Sequence, residues 1–497
     1  MMAYGAKRRE QPSERSRKYS DLEPFANPPR ASEAMKADRS VRTDLLWLSL
    51  AAVVIRLPAV LSTRHLSFDD GVYGATAVAM RHGARPYRDV FSSQGPLHHS
   101  LLYVADLLGG RTLDAPRLLS LAAAVVITIA VYLVARRVAS RRAGVIAAVL
   151  ATTSGSVFLV TTGISGDGPA IALAASAVAV AFAYRERPST ARAVSVGLLV
   201  GAACSVKLLA APVVVPVALA LLARRRTRDV VAAAVVAIAV PLVLAAPWGY
   251  SRVWDQSVRY HHEARRYSVG EAVWRMLTTL VERDTIVVAT AVVVVAIALL
   301  ARDRWAAPDE PRLGRAGTAL GAWLVVQVGF LLTESAMWRP HVSELIVPIV
   351  LLAALRLPST RVLLITWVIA IPIFLAGTWG FAKPGGYDGV DAQVAARLRA
   401  LPAHAVVITD EPGFAWRAGL QVPDRLVDVS VKQFDQGRIT EPDLLRAARA
   451  RDACAVLATS DERLGRFHDL PDRLADAGYR TVLRDGDTRL LERDCRN

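Results

Sequence analysis

Apolar runs of roughly membrane-spanning length recur about eleven times in the first three quarters of the sequence. They lie near residues 44–61, 117–135, 143–163, 169–184, 192–206, 208–223, 229–247, 284–301, 316–333, 342–355 and 361–377. Hydrophobic residues make up 53% of the 497 residues, which is more than a soluble protein needs. The sequence therefore predicts a polytopic α-helical membrane protein of the plasma membrane, surrounded by membrane lipids.

The positive charges fit this reading. The formal net charge is +16, but the arginines cluster in short loops between apolar runs, near residues 136–142, 185–192, 224–228, 302–315 and 356–361. Alternating spans that start from a cytoplasmic N-terminus place all of these clusters on the cytoplasmic face, as the positive-inside rule requires. Nucleic acid is therefore not an expected partner. Residues 1–42 are polar and of mixed charge, which predicts a disordered basic cytoplasmic tail without a cleavable signal.

One apolar segment does not fit the alternation. Residues 96–109 are short and contain His98, His99 and Asp106. If they formed a span, every later arginine cluster would lie outside. We therefore expect an interfacial helix, inside a first outer loop at residues 62–116 of a transmembrane domain at residues 43–380.

The last part of the chain differs in composition. From residue 381 the apolar runs shrink to strand length, at residues 405–409, 455–459, 481–484 and 489–492, and helical patterns lie between them. This alternation predicts a small α/β domain at residues 381–497, with a hairpin at Asp485–Gly486. It should be extracytoplasmic, because the final span runs outward. Cys454 and Cys495 could form a disulfide there or remain two free thiols.

Ionisable residues converge on the outer face. Asp69, Asp70 and Asp89 lie in the first outer loop, and Asp167 follows in SGDGP between two spans. The remaining members are Lys207 in a break between two short spans, His261 and Arg265 in the longest outer loop, and Arg339 and His341 in a later outer turn. Charged groups at a membrane boundary are costly and mark functional sites by default.

Structural explanations compete with the functional one. Asp167 could cap a helix, Lys207 could extend its ammonium group to the headgroups, and the long-loop side chains could be merely solvated. Asp69 and Asp70 are harder to explain in this way, because adjacent carboxylates repel and one is enough to cap a helix.

The order of these motifs resembles a known family. The stretches FDDGVYGATAVAMRHG and PYRDVFSSQGPLHHSLLYVADLLGG, followed by SGDGPAIAL and GAACSVKLLA, are similar to membrane-embedded glycosyltransferases of the type-C fold. Within that fold they resemble the family of protein O-mannosyltransferases and the aminoarabinose transferase that acts on lipid A. The family's usual Asp-Glu pair is Asp69-Asp70 here. The aminoarabinose enzymes have Glu and Lys before the Pro, where this chain has Gln94 and Gly95.

The resemblance implies inverting transfer of a sugar from a polyprenyl-phosphate donor to a glycan, lipid or protein acceptor at the outer face. Such chemistry needs a base for the acceptor hydroxyl and cations for the departing phosphate. The expected catalytic carboxylates are Asp69, as base, and Asp70. For the remaining roles we expect sugar or acceptor contacts from Asp89, Asp167 and Tyr73, and donor-phosphate contacts from Lys207, His261, Arg265, Arg339 and His341.

Other interpretations of the function remain. No cofactor is specified, but Asp70 and Asp167 could hold a divalent metal, although no ligand spacing indicates one. A non-catalytic envelope protein that binds polysaccharide or lipid would have the same fold. A transporter would instead have charged groups near the middle of the membrane between internal repeats, and neither feature is evident.

Overall fold

The computed structural model describes residues 31–264, 267–300, 311–334 and 337–495. The chain divides into two units, Met1–Trp47 and Leu48–Asn497, and every contact discussed below lies within the second. Arg265 and residues 1–30 of the predicted tail lie outside the described residues.

Residues 31–382 are mostly helical. The longest helices are Ala31–Val60, Leu118–Val138, Asp167–Glu186, Thr227–Ala245, Pro311–Thr333 and Thr360–Ala382. Shorter helices are Phe68–Arg81, Pro96–Leu108, Arg141–Thr153, Gly155–Val160, Thr190–Val206, Val214–Leu222, Tyr250–Trp254, Tyr260–His262, Val269–Arg283, Thr285–Leu300 and Ser343–Ala354. Short 3₁₀ turns link several of them, including Leu208–Val213 and Arg339–Val342.

Six of the described helices are long and apolar enough to cross a membrane: Arg39–Val60, Ala115–Val138, Asp167–Glu186, Thr227–Trp248, Gly314–Thr333 and Thr360–Gly380. A seventh span is formed if Val269–Arg283 and Thr285–Leu300, which meet at 101°, are counted as one. The other predicted spans correspond to shorter helices, so the total of eleven stays a prediction. The segment after Gly95 is a 13-residue helix, Pro96–Leu108.

One predicted span is interrupted at a polar residue, and the predicted break at Lys207 is present. In the run at 143–163, Ser154 ends one helix with extended backbone, and its hydroxyl accepts the Val157 N–H that begins the next. Lys207 has extended backbone between the Thr190–Val206 helix and the 3₁₀ turn Leu208–Val213. Because the backbone is extended at this residue, the Lys207 side chain does not follow the helical spacing of the residues before it.

Residues 389–492 form an α/β layer. The strands are β1 (Val406–Thr409), β2 (Ala453–Ala458), β3 (Arg480–Asp485) and β4 (Thr488–Glu492), in the spatial order β1-β2-β4-β3. Strands β1 and β2 are parallel, and the other two pairings are antiparallel. The flanking helices are Gly389–Arg399, Pro412–Arg417, Val431–Asp435, Glu441–Ala448 and Leu470–Ala475. Cys454 and Cys495 are joined in a disulfide, with their Cα atoms 5.6 Å apart.

This C-terminal segment packs tightly on the first outer loop. A Cβ on Gly74, in the Phe68–Arg81 helix, would lie 2.2 Å from the Trp416 ring, and one on Gly71 would lie 2.5 Å from the Gly413 backbone nitrogen. Trp416 is fully buried, in one hydrophobic cluster that also contains Val72 and the strand residues of the sheet. The two parts therefore share a core, and the predicted domain boundary at residue 381 stays untested.

We predict that Gly74→Ala lowers stability, because the indole ring of Trp416 already fills the space of the new methyl group. Overpacking of this kind costs about 1–3 kcal/mol. The measurement is the thermal unfolding midpoint of the detergent-solubilised protein. Gly321→Ala is the matched control, since a Cβ there meets no atom within 4 Å. Equal midpoints for the two variants would contradict this packing.

Candidate functional site

Asp70 is fixed by a buried guanidinium group. Arg117 Nη2 donates to Asp70 Oδ2 at 2.6 Å and Nε donates to Oδ1 at 3.3 Å, and both side chains are completely buried. The same carboxylate accepts the Leu66 N–H at 2.9 Å and the Ile164 N–H at 2.8 Å. Four donors thus hold the Asp70 carboxyl group inside the protein, and Asp70 does not line the cavity that Asp69 faces.

Asp69, one residue earlier, faces a cavity of about 540 Å³. Neither aspartate caps the helix, because the Ser67 hydroxyl accepts the Asp70 N–H. The polar residues that line the cavity with Asp69 come from stretches far apart in the sequence: Ser67, Tyr73, Ser93, Gln94, Ser165, Lys207, Tyr260, His261, Arg283, His341, Asp428, Ser430, Lys432, Ser460, Glu462 and Arg463. Of the neighbouring pair, Asp69 is the carboxylate in a position to meet a substrate.

The surroundings of Asp69 alter its acidity. Burial raises the pKa of Asp69 to about 6, and nearby carboxylates, among them Asp167 and Asp428, act in the same direction. The positive charge of Lys207 opposes this rise. A carboxylate with a pKa near 6 is a stronger base than a solvated one and is still ionised at neutral pH.

Lys207 and Asp167 form an ion pair in the cavity wall. Lys207 Nζ donates to Asp167 Oδ2 at 2.7 Å, and the Ser165 hydroxyl donates to the same oxygen at 2.9 Å. Asp167 is fully buried at the start of its helix, while Lys207 is 9% exposed. The extended backbone at Lys207 delivers the ammonium group to this point. Asp167 thus directs Lys207 towards the cavity.

A second, apolar cavity of about 790 Å³ adjoins the first. Its lining includes Leu208, Leu209, Pro241, Leu242, Ala245, Val253, Trp254 and Val258. Ser93, Lys207, His261 and His341 line both cavities. The polar cavity, which Asp69 faces, and the apolar cavity therefore meet at Lys207.

His261 is engaged through both ring nitrogens. Its Nε2–H donates to the Ser93 carbonyl at 3.0 Å, and Nδ1 accepts from Lys432 Nζ at 3.3 Å. Burial lowers the pKa of His261 to about 3, so the ring is neutral at physiological pH. With both ring nitrogens engaged and no positive charge, His261 is suited to positioning its neighbours and not to binding an anion.

Some of the predicted site residues lie at the polar cavity, and others lie elsewhere in the structure. Asp69, Tyr73, Lys207, His261 and His341 line the polar cavity, and Asp167 lies behind Lys207. Asp70, Asp89 and Arg339 are outside its lining. Asp89 pairs with Arg85 at 3.3 Å, and the half-exposed Arg339 pairs with Glu282 at 3.0 Å.

The residues proposed for a metal have other partners. Asp70 is neutralised by Arg117 and Asp167 by Lys207. In the part of the chain that the structure describes, no cluster of three or more His, Cys, Asp or Glu side chains has a metal-binding arrangement. These two carboxylates do not fit a metal site.

Sequence reasoning missed the contribution of the C-terminal segment. Asp428, Ser430, Lys432 and Arg463 all line the polar cavity, although they lie more than 200 residues after Lys207. One local signal was present, a lone lysine in the apolar stretch VSVKQF of an arginine-rich chain.

Comparisons with known proteins show what the chain resembles in sequence and in fold. A family model described as dolichyl-phosphate-mannose-protein mannosyltransferase matches residues 93–250. ArnT from Cupriavidus metallidurans bound to undecaprenyl phosphate superposes with a TM-score of 0.61 at 14% identity, over 90% of this chain and 97% of that one. Over residues 93–250 the chain resembles this family, and over most of its length it shares the fold of ArnT. The resemblance seen in the sequence is thereby confirmed.

More distant structures share the fold. The Archaeoglobus fulgidus oligosaccharyltransferase in its apo form gives a TM-score of 0.55 at 12% identity, over 88% of this chain and 72% of that one. The same enzyme in complex with Zn and sulfate gives 0.50 at 13% identity, over 88% and 71%. No curated protein sequence matched the chain. The chain is thus similar to a mannosyltransferase family over residues 93–250 and shares its fold with ArnT and the oligosaccharyltransferase.

We predict that Arg117→Ala destabilises the protein by about 3–5 kcal/mol, because it leaves Asp70 as an unpaired buried carboxylate. Arg339→Ala removes an exposed ion pair and should cost at most about 1 kcal/mol. Chemical unfolding of both variants in the same detergent provides the comparison. Equal losses would show that leaving Asp70 without Arg117 carries no special cost.

Proposed function

We propose that the chain transfers a sugar from a polyprenyl-phosphate donor to an acceptor hydroxyl at the outer face of the membrane, with inversion at the anomeric carbon. The observation that carries the proposal is the junction of the two cavities. Asp69 faces the polar cavity, Lys207 lies where the polar and apolar cavities meet, and apolar side chains line the second.

Each part of such a donor has a matching surface. The polyprenyl chain would occupy the apolar cavity beside Leu242 and Trp254, where its burial is favourable. The phosphate would lie at the junction, beside the ammonium group of Lys207. The sugar would then project into the polar cavity, towards Asp69 and Tyr73.

The reaction follows from this placement. The Asp69 carboxylate takes the proton of the acceptor hydroxyl as its oxygen attacks the anomeric carbon. The bond between that carbon and the phosphate oxygen breaks, and its electron pair leaves with the polyprenyl phosphate. Lys207 stabilises the departing phosphate, and Asp167 holds Lys207 in place. Asp70 takes no part in proton transfer and instead fixes the helix that carries Asp69.

The comparisons support the donor class. The Cupriavidus metallidurans structure contains undecaprenyl phosphate, and the matched family is named for a dolichyl-phosphate-linked donor. Glycan, lipid and protein acceptors all offer the hydroxyl that the mechanism needs. The alternative, a non-catalytic lipid- or polysaccharide-binding protein of this fold, would keep the cavities without turnover.

We also propose that the C-terminal α/β segment lies outside the cytoplasm. The arginine clusters favour that side for the outer loops, and the segment packs against the first of these loops. The Cys454–Cys495 disulfide is in keeping with an oxidising compartment.

We predict that Asp69→Asn abolishes transfer, with a loss of about 100-fold or more, because the amide cannot accept the acceptor proton. Binding of polyprenyl phosphate and the unfolding midpoint should stay close to wild type. Turnover is measured with polyprenyl-phosphate sugars and purified protein. Asp89→Asn is the matched control, since Asp89 lies outside the cavity lining, and it should transfer normally. Full turnover by Asp69→Asn would exclude Asp69 as the base.

The pH profile gives a further test of Asp69. The pKa of Asp69 is raised to about 6, and only the ionised form is a base. Below that pH, kcat/KM should fall about tenfold per pH unit, and above it should level off. Asp428→Asn removes a negative neighbour that helps to raise this pKa, so the acidic limb should shift to lower pH. An unshifted limb would assign the titration to another group.

A further inference from the structure

Lys432 projects from the C-terminal segment into the polar cavity. It lies in the short Val431–Asp435 helix, is 8% exposed and lines the cavity together with Asp69 and Lys207. None of the ion pairs recorded among the described residues includes Lys432, whereas Lys207 is paired with Asp167. A buried ammonium group without a carboxylate partner is costly unless an anion joins it.

The surrounding contacts hold this lysine towards the cavity. Lys432 Nζ donates to His261 Nδ1 at 3.3 Å and lies 5.8 Å from the centre of the Tyr260 ring. The Tyr260 and Ser430 hydroxyls are 2.6 Å apart, and Gln436 Nε2 donates to the Tyr260 carbonyl at 2.8 Å. The helix is thereby attached to the segment that carries His261.

Charged groups near the cavity also act on Lys432. Burial lowers the pKa of Lys432 to about 8, and the positive charge of Lys207 contributes in the same direction. Glu334 and Asp428 act against this. Lys432 and Lys207, which line the same cavity, therefore repel each other, and an anion that contacts both ammonium groups would relieve that repulsion.

We propose that Lys432 binds the donor phosphate together with Lys207, so that the C-terminal α/β segment completes the donor site. The inference rests on the proposed function, because it places a phosphate at the junction of the two cavities. Two ammonium groups from distant parts of the chain would each donate to a different phosphate oxygen, which also stabilises the charge that develops there during transfer. Because His261 accepts from Lys432, it acts as a positioning residue.

The test measures binding of undecaprenyl phosphate to the full-length protein in nanodiscs. Lys432→Gln should weaken binding about tenfold, the loss expected for one charge-assisted hydrogen bond. Lys432→Arg keeps the charge and should stay within about threefold of wild type. The matched control is Lys383→Gln, a half-exposed lysine that pairs with Asp388 outside both cavities. It should bind as wild type does.

Inorganic phosphate serves as a second probe, to separate recognition of the phosphate from recognition of the lipid chain. It should compete with undecaprenyl phosphate on wild type and compete several-fold less on Lys432→Gln. Equal competition on both would overturn the proposal.

The outcomes separate this inference from the proposed function. Wild-type protein that binds no undecaprenyl phosphate would contradict the donor class itself. If wild type binds it and Lys432→Gln binds equally well with an unchanged unfolding midpoint, only the role of Lys432 is wrong. If Lys432→Gln proves unstable, the Lys432→Arg variant decides, because a tenfold loss in that well-folded protein would contradict a role based on charge.

Discussion

The site depends on the buried ion pair between Asp70 and Arg117. Arg117 also donates to the carbonyls of Val60, Ser62 and Arg64 at 2.7–2.9 Å, so one guanidinium group joins the end of the first span to the helix that carries Asp69. Its Cζ lies 5.2 Å from the centre of the Trp416 ring, which extends the arrangement to the C-terminal segment. A buried pair of this kind adds little net stability, but it makes other arrangements costly. The pairing of Asp70 with Arg117 therefore fixes the position of Asp69.

A second constraint holds the loop of Ser93 and Gln94, which line the cavity together with Asp69. The Gly95 N–H donates to the Val206 carbonyl at 2.9 Å, and a Cβ on Gly95 would lie 2.2 Å from the Ser205 carbonyl oxygen. The position at which aminoarabinose enzymes carry Lys therefore has no room for any side chain here. The loop instead packs directly against the break at Lys207, so the positive charge at the junction must come from other parts of the chain.

The sequence predicted those features that depend on patterns among residues close together in the chain. Apolar runs and arginine clusters predicted a helical membrane protein, and the order of short motifs predicted its family. The functions of Asp69 and Asp70 could not be separated in this way, because successive helical residues point about 100° apart and only the packing of Ile164 and Arg117 shows which one faces inward. The role of Lys432 could not be predicted from the sequence either, since its place beside His261 depends on how the sheet packs against the first outer loop.

The charges of the cavity are linked to one another. Lys207 lowers the pKa of Asp69, while Asp167 and Asp428 raise it. A phosphate beside Lys207 would offset part of that positive charge, so donor binding would raise the pKa of Asp69 further. The carboxylate would then be a stronger base with the donor in place than in the empty protein. In the proposed mechanism, the residues that bind the phosphate thus also adjust the base, which explains why one cavity wall carries both kinds of charge.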